Sequence, residues 1–249
     1  MSRLPKHFEL MQTREKEVAS ILRLIEQRSN NFEEPKLILI GGYAMRAFTP
    51  YSRATRDCDF AVPKAQGWSI DTINGWMTNG IYVETVEKKE THGFLRWSKN
   101  VPFGRREAKV SVDFLEGEVR GRAEKAVVLI DRAFSDGSER KDISVADQTF
   151  RFHVPRYVDY LIMKIVSGRP SDIRDVATLL WKNGLPSGMK SRLGKILPYP
   201  EIFTGNIREK LIPVVSDKRF LYSWKGTFAT KDFDEEAQAK VLRLAESFI

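Results

Sequence analysis

The sequence predicts an α+β protein, with a mixed β-sheet and flanking helices over residues 1–150 and a mainly helical domain over residues 151–249. Short apolar, strand-like runs recur in the first part, between stretches with a helical period. The composition becomes helical after residue 154, so we expect the domain boundary near Arg151. A hydrophobic fraction of 42% over 249 residues is ample for one large core or two small ones.

The net charge and the cysteine count limit the class of protein. A formal net charge of +8 favours a polyanionic partner, because surface Lys and Arg attract phosphate groups. The single cysteine excludes an internal disulfide framework, and no secretory signal or long apolar span is apparent. We therefore expect a soluble cytoplasmic protein with no membrane partner.

The first predicted elements are a helix, a strand and a glycine turn. Residues 6–28 carry apolar side chains at helical spacing, and residues 37–40 form an apolar strand. Gly41 and Gly42 interrupt this strand before the helix-forming residues 44–48. Glycine allows a positive φ and a close approach of the backbone to a ligand, and N–H groups at a helix start favour an anion. The turn therefore predicts a cradle for the phosphates of a nucleoside triphosphate.

Asp57 and Asp59 lie two residues apart in the next strand-like segment. Side chains at positions i and i+2 of a strand share a face, so the two carboxylates project together while Cys58 and Phe60 point to the core. Mg²⁺ prefers hard oxygen ligands, and a two-metal site needs carboxylates that can bridge two ions. Paired acids beside a glycine turn therefore indicate metal-dependent phosphate chemistry.

The rest of the first domain is predicted to add one helix and several strands. The helix covers residues 69–79, and a polar turn is predicted at residues 135–138. Strands are predicted over residues 81–86, 91–98, 108–115, 126–130 and 143–146. Asp113 lies among β-branched and aromatic residues, where aspartate is uncommon. Either backbone amides satisfy this carboxylate or it binds a ligand.

The second domain contains a lysine inside an apolar helix. Residues 157–166 are apolar apart from Asp159 and Lys164, and a lysine in such a stripe either reaches solvent or meets an anion. Further helices are predicted over residues 187–196, 206–211 and 234–248. Five aromatic side chains in this region could stack on bases, although core packing is the commoner role: Tyr199, Phe203, Phe220, Tyr222 and Trp224.

In these motifs the chain resembles the nucleotidyltransferase superfamily of the DNA polymerase β type. The superfamily motif is a strand ending in Gly-Gly or Gly-Ser, a short helix and a strand with Asp-x-Asp, followed by a third acid on a later strand. The sequence Arg53-x-Thr55-x-Asp57-x-Asp59 is most similar to the small nucleotidyltransferases of the AbiEii/AbiGii toxin group. A later motif of that group is matched by Lys164, Arg169, Asp172 and Asp175. Tyr43 departs from the pattern, which has a small or hydroxyl residue after the glycines.

The resemblance implies a nucleotidyltransferase core and an enzyme that moves a nucleoside monophosphate from an NTP to an acceptor, releasing pyrophosphate. It implies that two Mg²⁺ ions are held by Asp57, Asp59 and Asp113, and that Asp113 also orients the attacking hydroxyl. The residues implied in holding the nucleotide are Gly41, Gly42, Arg53, Thr55 and Lys164. Asp172 and Asp175 are as compatible with a structural role at a helix start as with a functional one.

The identity of the acceptor stays open at the level of sequence. The basic charge favours RNA, including tRNA, in a toxin-like setting that implies a separate antitoxin protein. A protein side chain or an aminoglycoside-like small molecule is an alternative acceptor, and the latter would need an acidic pocket. A non-catalytic nucleotide- or RNA-binding module is the alternative from another class. It predicts that Asp113 or one of the paired acids lies out of metal reach.

Overall fold

The structure is a computed structural model, and it describes residues 6–53, 55–64, 70–80 and 93–249. The strand predicted over residues 81–86 lies outside this part of the chain. The chain divides into two compact units. The first consists of residues 1–47, 54–118 and 130–154. The second consists of residues 48–53, 119–129 and 155–249.

The predicted α+β class is confirmed by the order of the elements. Up to residue 129 they are α1 (Lys6–Arg28), β1 (Ile38–Ile40), α2 (Gly41–Ala44), β2 (Asp57–Val62), α3 (Ile70–Gly80), β3 (Phe94–Phe103), β4 (Arg106–Glu116), β5 (Glu118–Arg120) and β6 (Val127–Leu129). Up to residue 183 there follow α4 (Arg132–Asp136), β7 (Glu139–Val145), β8 (Gln148–Val154), α5 (Tyr157–Ser167) and α6 (Pro170–Asn183). The remaining helices are α7 (Met189–Ile196), α8 (Glu201–Asn206), α9 (Ile212–Ser216), α10 (Arg219–Phe228) and α11 (Glu235–Glu246).

A mixed six-stranded sheet in the order β3-β4-β2-β1-β8-β7 forms the centre of the first unit. Strands β2 and β4 are parallel, as are β1 and β8, and the other neighbours are antiparallel. The register aligns Ile40 with Asp59, Asp59 with Asp113, and Asp113 with Arg96. One row across four strands therefore contains two of the predicted site carboxylates and an arginine.

Core packing confirms which face of β2 carries the acids. Cys58 and Phe60 are fully buried, and the Phe60 ring stacks on Phe114 with 5.7 Å between ring centroids. Phe32, just after α1, packs on the same ring at 6.0 Å. Because neighbouring side chains of a strand alternate, Asp57 and Asp59 project from the opposite face. Both are half-buried.

Several local predictions were wrong in detail. The helix after β1 begins at Gly41 itself rather than beyond the glycines, and it continues as a 3₁₀ turn over Met45–Ala47. The first half of the polar turn predicted at residues 135–138 belongs to the helix α4, because the Asp131 carboxylate caps this helix by accepting the Phe134 N–H at 2.7 Å and the Phe134 ring is buried. The turn itself follows at Gly137. The sheet also includes β8, which no predicted strand covered.

The second unit is mainly helical, with β5 and β6 paired as a small ribbon. The predicted helix over residues 157–166 is α5, and that over residues 234–248 is α11. Between residues 197 and 230 the chain forms three short helices and a π-helical turn over Ile207–Leu211, where one helix was predicted. No helix in the described parts of either unit is long and apolar enough to cross a membrane.

Candidate active site

The glycine turn after β1 lies directly against the first acidic strand. Gly41 has a φ of +69°, and a Cβ atom added there would lie 1.9 Å from Oδ2 of Asp59. A side chain at position 41 would therefore displace this carboxylate, quite apart from the strain of a positive φ. Gly41 is required by the position of Asp59.

The second glycine makes room for the threonine that orients Asp57. A Cβ atom at Gly42 would lie 3.2–3.3 Å from the side chain of Thr55. The Thr55 hydroxyl donates to Oδ1 of Asp57 at 2.6 Å and lies 3.1 Å from the backbone carbonyl of the same residue. Five residues predicted to belong to the site are thus brought together at one end of β1 and β2: Gly41, Gly42, Thr55, Asp57 and Asp59.

The third predicted carboxylate is in register with the second but is bound by an arginine. Asp113 on β4 is the cross-strand neighbour of Asp59, and it is 4% exposed. Its Oδ1 accepts from Nε of Arg96 at 2.8 Å, and its Oδ2 accepts from Nη2 at 2.5 Å. This two-point contact is the strong geometry for an arginine and a carboxylate. It also fixes both side chains in the row.

Arg96 is a site residue that sequence reasoning missed. The β3–β4 hairpin turns at Gly104 and Arg105, and this register places Arg96 opposite Asp113. An arginine between Leu95 and Trp97 in a predicted strand was a signal, but its partner depends on the exact centre of the hairpin. The loop predicted between the strands was too long to define that centre.

The donor set fits one divalent cation better than two. Asp57 and Asp59 offer hard oxygen atoms on one half-buried face of β2, and Mg²⁺ commonly binds one or two carboxylates together with water and substrate phosphates. Within the described residues, no three Asp, Glu, His or Cys side chains gather as a metal-binding group. Both oxygens of the third predicted ligand, Asp113, are bound by Arg96 instead.

Two other predicted nucleotide-binding residues belong to a charge network in the second unit. The Lys164 ammonium donates to Asp172 Oδ1 at 2.9 Å and to Asp175 Oδ2 at 2.8 Å. Arg53 donates from Nε to Asp175 at 3.0 Å. Burial opposes the charge on Lys164, but Asp175, Tyr160 and Asp172 outweigh burial and raise the pKa of this ammonium above its ordinary value. A contact of Arg53 or Lys164 with the triphosphate stays a prediction.

The buried Cys58 thiol and Tyr43 hydroxyl do not have the properties of reactive groups. Burial raises the pKa of the Cys58 thiol well above its ordinary value, and the carboxylates of Asp59 and Asp57 add to this effect. Tyr43 is fully buried, so it points into the core and does not stack on a nucleotide. Burial also raises the pKa of the Tyr43 hydroxyl, which has no hydrogen-bond partner in the described residues. Neither group is a nucleophile.

Comparison with known proteins gives only distant likenesses. No protein-family model and no curated protein sequence matches the chain. Among solved structures, the chain is similar to JHP933 from Helicobacter pylori, with 14% identity, a TM-score of 0.49 and coverage of 90% of this chain and 88% of the other. It is also similar to an H. pylori protein described provisionally as a nucleotidyltransferase, with 14% identity, a TM-score of 0.47 and coverage of 90% and 91%. Neither likeness carries a functional assignment, which depends on the side chains of this chain.

Proposed function

We propose that the protein is a nucleotidyltransferase that moves a nucleoside monophosphate from an NTP to an acceptor hydroxyl and releases pyrophosphate. The observation that carries this proposal is the assembly of Asp57 and Asp59 on one face of β2, against a glycine turn shaped around the Asp59 carboxylate. Two half-buried carboxylates on one face of a strand are hard oxygen donors, which Mg²⁺ prefers. The proposed ligand of this pair is Mg²⁺.

Each predicted site residue of the first unit has a role in the proposed reaction. Asp57 and Asp59 would hold Mg²⁺, which neutralises charge on the triphosphate and polarises the phosphoryl group. Thr55 fixes the rotamer of Asp57 through its 2.6 Å hydrogen bond. Asp113, the cross-strand neighbour of Asp59, would orient the attacking hydroxyl, and the glycine turn at Gly41 and Gly42 would let the backbone approach phosphate oxygens.

The surface of the second unit favours RNA as the acceptor. The side chains of Phe203, Phe220 and Trp224 are buried, as expected for core packing, but Tyr222 is 78% exposed. Residues 218–231 contain four cations and no acid, and Arg219 and Lys225 flank Tyr222 at three-residue spacing on α10. An exposed ring between cations suits a single-stranded polyanion, since bases stack on aromatic side chains and phosphates meet Lys and Arg. We call Arg219, Tyr222 and Lys225 the α10 face.

The biological setting is proposed on the resemblance alone. We propose a cytoplasmic, toxin-like enzyme with RNA, including tRNA, as substrate, and an antitoxin protein as its partner. An aminoglycoside-like acceptor would need acidic groups near the site.

A non-catalytic nucleotide- or RNA-binding module is the second candidate, and one observation favours it. This alternative predicts that one of the three acids is kept from the metal, and the Arg96–Asp113 contact engages both oxygens of the third acid. The two candidates share the nucleotide site but differ in turnover. A transfer assay therefore separates them.

The test is incubation of the purified protein with Mg²⁺, each α-labelled NTP and total RNA. The site variant is Asp57→Asn/Asp59→Asn. The matched control is Asp142→Asn, which removes an acid of the same sheet whose side chain is 67% exposed on β7. We expect label in RNA with the wild-type and control proteins and none with the site variant. NTP binding without transfer to RNA, protein or small acceptors would favour the binding module.

A further inference from the structure

The Arg96 guanidinium binds both oxygens of Asp113, the third acid of the predicted metal site. In two-metal enzymes the ions lie roughly 3.5–4 Å apart and the carboxylates bridge them. Here the row across β2, β4 and β3 places Asp59, Asp113 and Arg96 side by side. The positive charge next to Asp113 is therefore supplied by the chain.

Several contacts hold Arg96 in place. Its Nε and Nη2 atoms bind separate oxygens of Asp113, and its guanidinium lies 5.4 Å from the centroid of the Phe94 ring. The Asp113 side chain is 5% exposed and that of Arg96 is 37% exposed, so the pair is anchored in the sheet and the guanidinium reaches its surface. A two-point arginine contact of this kind is directional and does not rearrange easily.

The electrostatic environment keeps this cation charged. The hydrogen bond to Asp113 raises the pKa of Arg96 above its ordinary value, against the opposing effect of burial, and the charges of Asp57 and Asp59 add to the increase. The three predicted site acids therefore act on the same guanidinium. The strand register, with Asp113 between Asp59 and Arg96, places the guanidinium in the same row as one acid of the proposed cation site.

We propose that Arg96 replaces the second metal ion, so that the site takes one divalent cation on Asp57 and Asp59 and uses the guanidinium as the fixed cation beside Asp113. This inference rests on the proposed nucleotidyl transfer and changes its metal stoichiometry from two ions to one. Arg96 is a positioning residue in this scheme: its two-point contact holds Asp113 in place, as a second ion would otherwise do. A fixed guanidinium needs no ion to be recruited for this task.

The experiment counts Mn²⁺ ions, which are paramagnetic and substitute for Mg²⁺. The protein is titrated with Mn²⁺ in the presence of a non-hydrolysable NTP analogue, and free Mn²⁺ is measured by electron paramagnetic resonance. The variants are Arg96→Gln, which removes the charge, and Arg96→Lys, which retains it. The matched control is Lys99→Gln, which removes a cation from the same strand where it pairs with Glu17 at 2.5 Å. Thermal melting confirms that each variant is folded.

We expect one bound Mn²⁺ per chain for the wild type, Arg96→Lys and Lys99→Gln. We expect a second Mn²⁺ for Arg96→Gln, bound about tenfold or more tightly than any second ion in the wild type, because a unit positive charge next to the Asp113 carboxylate is removed. The second ion should disappear again in the double variant Arg96→Gln/Asp113→Asn. This dependence on Asp113 would show that the second Mn²⁺ binds at Asp113. It would exclude the explanation that the more negative variant merely attracts cations in general.

Two results would overturn the inference. One is a wild-type protein that binds two Mn²⁺ ions of similar affinity. The other is a folded Arg96→Gln variant that still binds only one Mn²⁺ ion. The transfer assay tests the proposed function separately. Nucleotide transfer by a wild-type protein that binds two Mn²⁺ ions would support the proposed function and contradict the role of Arg96. Binding of a single Mn²⁺ ion without any nucleotide transfer would support the role of Arg96 and contradict the proposed function.

Discussion

The two units each contain a cluster of carboxylates and cations, and the clusters differ in exposure. In the first unit Asp57 and Asp59 are half-buried, and their neighbour Asp113 contacts Arg96 at the edge of the described sheet. In the second unit Lys164, Asp172 and Asp175 have side chains that are at most 6% exposed. Both clusters come from motifs that the resemblance marks as functional, yet only the first has acids that solvent can reach.

The buried cluster has the features of a structural ion network. Lys164 lies between Asp172 and Asp175, Ser167 donates to Asp172 at 2.7 Å, and Arg53 binds Asp175 from the other side. Each charge is matched by a partner within hydrogen-bond distance, which is the condition under which buried charges are tolerated. The same residue types are therefore accessible to a ligand where they face solvent, and they satisfy one another where they are buried. Five predictions test this division.

The largest effect is expected from the acids of β2. Asp57→Asn/Asp59→Asn should lower nucleotidyl transfer by on the order of 10³-fold, because the charge that holds the cation is lost at the reacting phosphate. The free energy of unfolding should change by less than about 1 kcal/mol, since both side chains are half-buried. Transfer rates and urea melts measure the two quantities. A large loss of unfolding free energy in this variant would mean that Asp57 and Asp59 also stabilise the fold.

The second prediction concerns the centre of the buried network. Lys164→Met should cost about 3–5 kcal/mol of unfolding free energy, because Asp172 and Asp175 are left buried without their shared cation. Lys190→Met on α7 removes an exposed lysine and should leave stability nearly unchanged. The comparison between the units would break if Lys164→Met melted like the wild type but lost nucleotide transfer, since Lys164 would then serve the reaction.

The third prediction isolates the collision at the glycine turn. Gly41→Ala and Gly104→Ala both place a side chain at a positive φ, +69° and +60°, which costs about 1–2 kcal/mol. A Cβ atom at Gly104 meets nothing within 4 Å, whereas one at Gly41 meets Asp59. We therefore expect Mn²⁺ affinity to fall only in Gly41→Ala. Equal affinity in the two variants would mean that the Asp59 carboxylate does not contribute to the metal site.

The fourth prediction tests whether the second unit contributes at its surface. Tyr222→Ala should lower the affinity for single-stranded RNA by about 1–3 kcal/mol through the loss of base stacking, with stability unchanged because the ring is 78% exposed. Tyr199→Ala, which removes a 42% exposed ring, is the control. Fluorescence anisotropy with labelled RNA measures both. Equal losses for the two tyrosines would argue against a specific role of the α10 face.

The smallest effect is the pH dependence of the buried network. Burial raises the pKa of Asp172, but Lys164 and Ser167 outweigh it, so the net pKa is below the ordinary value of 3.8. A carboxyl with a lowered folded pKa contributes stability that is fully present above its unfolded pKa and lost as the pH falls through the folded value. Melting temperatures of the wild type and Asp172→Asn should therefore converge as the pH falls below about 4. A constant gap across that range would contradict this reading of the network.

Much of the fold and half of the site followed from short-range patterns. The alternation of Asp57-Cys58-Asp59-Phe60 assigned each side chain to a face, because a strand has a period of two wherever it lies. The core position of Cys58 and Phe60 confirmed it. Predictions failed in part where a contact redefined a segment, as at α4, where the Asp131 cap and the buried Phe134 ring support a helix that includes the first two residues of the predicted turn.

The α+β class, the glycine turn and the paired acids could be predicted from the residues alone, because each depends on neighbouring residues and on backbone rules that hold in any context. The partners of Asp113 and Lys164 could not be predicted in this way. Arg96 meets Asp113 through the register of a long hairpin, and Lys164 meets Asp175 through the packing of α5 against α6. Such contacts depend on how distant segments align and how deeply they are buried. A shift of one residue in the hairpin register would send Arg96 to the other face of the sheet.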